Sequence, residues 1–297
     1  MDIKLLVNKF CDYSKYIKGF SASTLRRYRF VSNYYVKYSG VSEIEGITAD
    51  NVRNFFYYGR SARLWKAQTF ITFHKSLVVF FRWCIKEGYM QTNFAEDVEV
   101  PKLEKHLPRS LKKDDAMRIL ETAYNYPYKT KLQRYRNHAI FATFIYTGLR
   151  KQEVLKLRYT DVDLDNMTMF VYQGKGSKDR IVPICYTLAE SLKRYLTERN
   201  RLKKTCPEFF VSSNRNMGYS KSGLKRLVDA VQVASRIKFH VHMLRHTFAT
   251  LMLEGGCDIY SLSKMMGHAA ITTTTIYLAA SAEHLRSQMT KHPLNNL

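Results

Sequence analysis

At 297 residues the chain can bury one or two full cores, so two domains are the starting expectation and no disulfide or metal staple is required. Hydrophobic residues at 45% and charged residues at 25% exclude a largely disordered chain. Lys and Arg number 48 against 25 Asp and Glu, a formal charge of +23, which exceeds what solubility needs and calls for a polyanionic partner.

Nucleic acid suits basic residues spread along the whole chain. The rival, an anionic membrane surface, wants a concentrated basic amphipathic helix or a lipidation signal, and neither is evident. The opening MDIKLLVNKFCDY breaks its apolar residues with charge, and no later stretch approaches membrane-spanning length, so the protein is expected in the cytoplasm. Five scattered cysteines without a CxxC pair suggest reduced thiols and neither a disulfide framework nor a zinc knuckle.

In chain order, a first helix is predicted around Ile3 to Ile17 and a second from the Ser21–Thr24 cluster, whose hydroxyls can cap exposed amides. A third follows Thr48. A fourth spans roughly Ala62 to Glu87, with Phe70, Phe73, Leu77, Phe80, Phe81 and Cys84 near helical spacing. Basic residues interleave with these aromatics; Arg26, Arg27, Lys66 and Lys75 are the candidates for DNA contact, against the alternative of a solvated basic face. Residues 1–90 thus read as a helical DNA-binding domain. Lost periodicity, Pro101 and Pro108 mark residues 91–108 as a linker.

Residues 109–297 read as a second domain with a C-terminal tail. Helices are expected at Leu111 to Tyr124 and, buried, at Arg136 to Tyr146. Met167 to Tyr172 and Arg180 to Cys185 read as strands of a hairpin around Gly174-Lys175-Gly176-Ser177-Lys178, and helical patterns resume from Leu188. The fold class is therefore mainly α with a small antiparallel β-sheet.

Four segments carry candidate chemistry. Arg150 follows a helix-ending glycine and can project into a cleft, or simply pair with Glu153. Lys175 sits at a glycine-rich hairpin tip that lacks the spacing of a nucleotide-binding P-loop; a solvated turn lysine is the plain alternative. His242, Arg245 and His246 fall at i, i+3 and i+4 on one helix face. Zinc is disfavoured there, because Met243 stands where an HExxH helix needs Glu; an arginine forking two bonds to a phosphate beside a proton-handling histidine is the other reading. Finally, Gly255-Gly256 ends that helix, Asp258 starts the next, Gly267-His268 ends it, and Thr272 or Thr273 can cap the helix carrying Tyr277, one of 21 tyrosines.

Taken in order, TGLRKQEV, GKGSKDRIVPI, HMLRHTFAT and MMGHAAITTTTIYL, spanning Thr147 to Leu278, resemble the motifs of the tyrosine recombinase (phage integrase) family, in particular its Xer-like members. The resemblance implies an N-terminal helical core-binding domain and an α+β catalytic domain forming a C-shaped DNA clamp. It implies site-specific recombination: cleavage and rejoining of DNA through a 3′-phosphotyrosine, with no cofactor, metal or ATP. It places the two active-site arginines on Arg150 and Arg245, the hairpin lysine on Lys175, the histidines on His242 and His268, the nucleophile on Tyr277, and the supporting acid on Glu153. In this reading the arginines stabilise charge on the phosphate, His242 takes the phenol proton, Lys175 protonates the leaving 5′-oxygen, His268 hydrogen-bonds the phosphate and Glu153 orients its neighbours. The implied partner is double-stranded DNA at a specific recombination site, bound by a homo-tetramer or by a hetero-tetramer with a related recombinase, and no membrane. Residues after Ser281 can form a helix that docks on a neighbouring subunit or packs on its own domain. A type IB topoisomerase-like enzyme and a non-catalytic DNA-binding regulator are the competing readings.

Overall fold

In the first part of the chain, three hydroxyl- or carboxylate-bearing residues sit where helices must start. The computed structural model describes residues 1–104, 108–172, 179–268 and 270–278. Asp2 caps α1 (Ile3–Tyr16), Ser21 caps α2 (Ala22–Ser39), and Thr48 with Asn51 forms a reciprocal cap on α3 (Ala49–Ser61). The fourth helix, α4 (Ala67–Lys86), starts later than its pattern suggested: Ala62 to Lys66 form the connection, where Trp65 turns inward and Leu64 takes a left-handed φ of 50°. The predicted aromatic stripe of α4 is buried, and Phe10, Tyr35, Phe55, Phe56, Phe80 and Phe81 complete a core of mutually tilted rings.

The chain divides into two compact units, Met1–Lys105 and His106–Leu297. The stretch expected to be linker from residue 91 is partly held by the first unit. Ala95 is fully buried there, Asn93 Nδ2 donates to Val78 O at 3.1 Å, and Glu96 pairs with Arg82 of α4.

The second unit is built around α6 (Lys131–Thr147), whose stretch from Ala139 to Ile145 is apolar or small on every side and buried. Around it lie α5 (Lys113–Asn125), α8 (Tyr186–Arg201), α9 (Lys221–Ser235) and α10 (Val241–Glu254). A three-stranded antiparallel sheet runs β1 (Val162–Asp163), β2 (Thr168–Val171), β3 (Arg180–Pro183), with Met169 opposite Val182 on the buried face. The hairpin was legible; the two-residue β1 was too short to announce itself. Lys175 at the hairpin tip, and the proposed terminal helix beyond Leu278, lie outside the described residues. The short α7 (Lys151–Lys156) leaves the end of α6, while α11 (Ile259–Met266) and α12 (Thr272–Leu278) follow α10. Thr272 and Thr273, expected as caps, are the first residues inside α12; its opening amides at Thr273 and Thr274 donate to Ala270 O and Ile271 O instead.

Candidate active site

Two glycines that end helices bring the site together. Gly148 closes α6 with φ 61°, and a Cβ there would stand 2.3 Å from Phe248 Cδ1, so only glycine fits. Two residues later Arg150 becomes the N-cap of α7. Gly267, at φ 64°, closes α11 in the same left-handed way and presents His268.

The carbonyls at the end of α11 have no partners within the helix and carry the negative end of its dipole. Three arginines from distant parts of the chain satisfy them. Arg180 Nε donates to Met265 O at 2.7 Å, Arg245 Nη2 to Met266 O at 2.8 Å, and Arg150 Nη2 to Gly267 O at 2.9 Å. Arg245 Nη1 also donates to Gly148 O at 2.6 Å, tying the two helix ends to each other. Arg150 and Arg245 therefore share one cluster.

Glu153 is the counter-ion. One carboxylate receives Arg150 Nη1 at 2.8 Å and both terminal nitrogens of Arg180 at 3.1 and 2.9 Å, while the Arg150 amide donates to it at 2.7 Å. Burial opposes its charged form, but Arg180 and then Arg150 outweigh that and hold the carboxyl below its ordinary range. The orienting role expected of Glu153 thus has a geometry: it fixes two guanidinium planes. Among the described contacts of this cluster, one carboxylate faces the guanidiniums of Arg150 and Arg180, with Arg245 beside them. Two of the five N–H groups of the buried Arg245, on Nε and Nη1, have no acceptor among the described residues and remain for an anion. Burial, then Arg150, lowers Arg245 to about 10, so it stays protonated at neutral pH.

His268 Nε2 lies 2.9 Å from Arg245 Nη2, and its Nδ1 lies 2.7 Å from Thr274 Oγ1. Because an arginine can only donate, Nε2 is the acceptor and the proton sits on Nδ1. Burial, then Arg245 and Arg150, depresses this imidazole to about 4, so it is neutral at pH 7. In this arrangement it steadies Arg245, and hydrogen-bonding a phosphate would need Nε2 to release Arg245 and carry a proton.

Tyr277 is 2% exposed, its ring packed with Phe248, Leu253, Leu262 and Met266 between α10, α11 and α12. The sequence placed His242 at its hydroxyl. The residue found there is His246, with Nδ1 2.8 Å from Tyr277 Oη. His242 is exposed at the start of α10, where burial of part of its ring, then His240, Lys151 and the two arginines lower its pKa. Burial raises the Tyr277 phenol, with Arg245 and Arg150 pulling the other way.

Sequence reasoning missed Arg180 as a site residue; it weighed His246 for zinc or as part of a polar face beside Arg245, and gave the phenol proton to His242. The spacing of His246, one turn after His242, was the available signal; for Arg180 it was only its place within GKGSKDRIVPI, since its contact is with α11, 85 residues away. Of the first-unit candidates, Arg26, Arg27, Lys66 and Lys75 are all exposed on α2, at the N-cap of α4 and on α4. Among the described residues no three His, Cys, Asp or Glu side chains gather to hold a metal ion, and no helix is long and apolar enough to cross a membrane.

The sequence profile of the Phage integrase family matches residues 109–284. Along nearly the full chain, the sequence is 32% identical to tyrosine recombinase XerC of Thermodesulfovibrio yellowstonii, over 97% of this chain and 96% of that protein. The chain belongs to the phage integrase family. It is a site-specific recombinase, resembling the Xer tyrosine recombinases. Tyrosine recombinase XerA of Thermococcus onnurineus is likewise 32% identical, over 94% of this chain and 93% of its own. Among solved structures, XerA recombinase is 28% identical, with 97% and 98% of the two chains covered at a TM-score of 0.55. XerH recombinase in a post-cleavage complex with its palindromic difH substrate shares the integrase-family fold at 20% identity, with a TM-score of 0.75 over 97% of this chain and 84% of that one.

Proposed function

We propose that this recombinase cuts double-stranded DNA at a specific recombination site by attack of Tyr277 on a backbone phosphate, forming a 3′-phosphotyrosine and releasing a 5′-hydroxyl. The observation that carries this reading is the meeting of Arg150, Arg245, His268 and Tyr277, drawn from three of the four motif segments, around the end of α11. Negative charge grows on the non-bridging oxygens as phosphorus becomes five-coordinate. Permanently charged guanidiniums fixed in advance stabilise it, by about 3–4 kcal/mol for a single well-placed donor. Lys175, on the hairpin, protonates the leaving 5′-oxygen. Because one phosphodiester is exchanged for another, rejoining needs no ATP.

The first unit holds the duplex through Arg26, Arg27, Lys66 and Lys75, and the second unit cuts it. The recombinase works in the cytoplasm as a tetramer on two duplexes, formed of this chain alone or with a related recombinase. Incubation with a nicked duplex carrying the cognate site gives a covalent adduct that Tyr277→Phe loses while its non-covalent DNA affinity stays within about threefold. An adduct that survives the substitution contradicts the reading.

A further inference from the structure

From the contact between His246 Nδ1 and Tyr277 Oη we infer that His246 is a catalytic residue that takes the phenol proton of the nucleophile. This deepens the reading of Tyr277 given above and rests on it. The 2.8 Å separation is that of a hydrogen bond, the rings stand 5.6 Å apart at 48°, and no other described side chain hydrogen-bonds the hydroxyl. With the imidazole proton on Nε2, the phenol donates to the Nδ1 lone pair, which is the arrangement a base needs before the reaction starts.

The surroundings favour that direction of transfer. The groups that reach His246 are His242 and Arg245 of α10 and His240 at its N-cap; the facing group on α12 is Tyr277. Burial first, then the neighbouring groups of α10, lower the imidazole and so favour its neutral, proton-accepting form. His242 lies on the exposed first turn, beside Lys151 and the arginines, a place suited to contacting the phosphate.

In the cleavage step the Tyr277 Oη–phosphorus bond forms as the phosphorus–O5′ bond breaks. The phenol proton moves to His246 Nδ1, and the 5′-oxygen takes a proton from the Lys175 ammonium. Rejoining reverses each transfer, and His246 returns its proton to Tyr277. A histidine that only filled the polar valence of a buried tyrosine would leave the cost of replacing it the same whatever the acidity of the phenol.

The test is the rate of covalent adduct formation by the full-length protein on a nicked cognate duplex between pH 5 and 10. His246→Gln is expected to slow it about 100-fold or more at pH 7. It should also abolish the fall in rate at low pH. His242→Gln lowers the rate but keeps the low-pH fall. Placing a fluorinated, more acidic tyrosine at 277 shrinks the His246→Gln penalty. A His246→Gln rate within threefold of the parent across this range, or a penalty equal for both phenols, overturns the inference. Should His246→Gln not fold, the nitrogen resonance of His246 Nδ1 in the otherwise unaltered protein decides: it must move on Tyr277→Phe, and a fixed resonance overturns the proposal. Adduct formation by Tyr277→Phe in the same series would overturn instead the nucleophile assignment on which it stands.

Discussion

At the scale of single residues, Glu153 holds the most consequences. Its carboxylate is 9% exposed and is the described counter-ion of Arg180, itself 8% exposed, and of Arg150. Glu153→Ala leaves buried guanidinium charge uncompensated, and a loss of about 3–5 kcal/mol is expected in urea unfolding; a loss below 1 kcal/mol would show that the arginines find other partners. Acid acts on the same cluster. His268, at about 4, is neutral in the fold but protonates near its ordinary value of about 6.5 once unfolded, so its contribution is present above that value and disappears as pH falls towards 4. Glu153, depressed in the fold, loses its contribution below the ordinary carboxyl range. The urea midpoint should therefore begin to fall between pH 6.5 and 5, before carboxylates protonate; a midpoint constant down to pH 5 would contradict the assignment. The residues of this cluster were legible where a motif carried them, as with Arg150, Glu153, Arg245 and His268. Arg180 and the phenol-binding role of His246 were not, because both depend on contacts between separate elements that local spacing does not encode.

At the scale of elements, helix ends place the chemistry. Gly148 and Gly267 were read as stops, and that much is local: each takes a left-handed turn that glycine adopts at least cost. What the sequence could not say is that their carbonyls, with Met266 O, would each receive an arginine from elsewhere. Gly148→Ala combines left-handed strain with a methyl pressed on the Phe248 ring, and a destabilisation of about 2–4 kcal/mol is expected. Since Arg150 hangs from this turn, adduct formation should fall even at temperatures where the variant remains folded. Parent-like stability and rate would mean that α6 and α10 shift freely. The starts of α1, α2 and α3 were recoverable from Asp2, Ser21 and Thr48, whereas α4 began five residues late because Trp65 packs inward and breaks the run.

At the scale of the molecule, a charge of +23 makes salt the natural probe. The logarithm of the affinity for duplex DNA should fall linearly with the logarithm of salt concentration. Replacing Arg26, Arg27, Lys66 or Lys75 with Ala should reduce the slope by about one for each phosphate that the side chain had neutralised. A slope unchanged in all four would move the DNA-binding face of the first unit elsewhere. The division into two units was visible from proline and lost periodicity, but its edge was not: residues 93–98 look like linker in composition and yet bury Ala95 against α4.

The central claim is tested most directly by digesting the trapped protein–DNA adduct and locating the modified peptide by mass spectrometry. The account requires a 3′-linked nucleotide on the phenolic oxygen of Tyr277. A nucleotide on any of the other tyrosines, or on a serine, would contradict it.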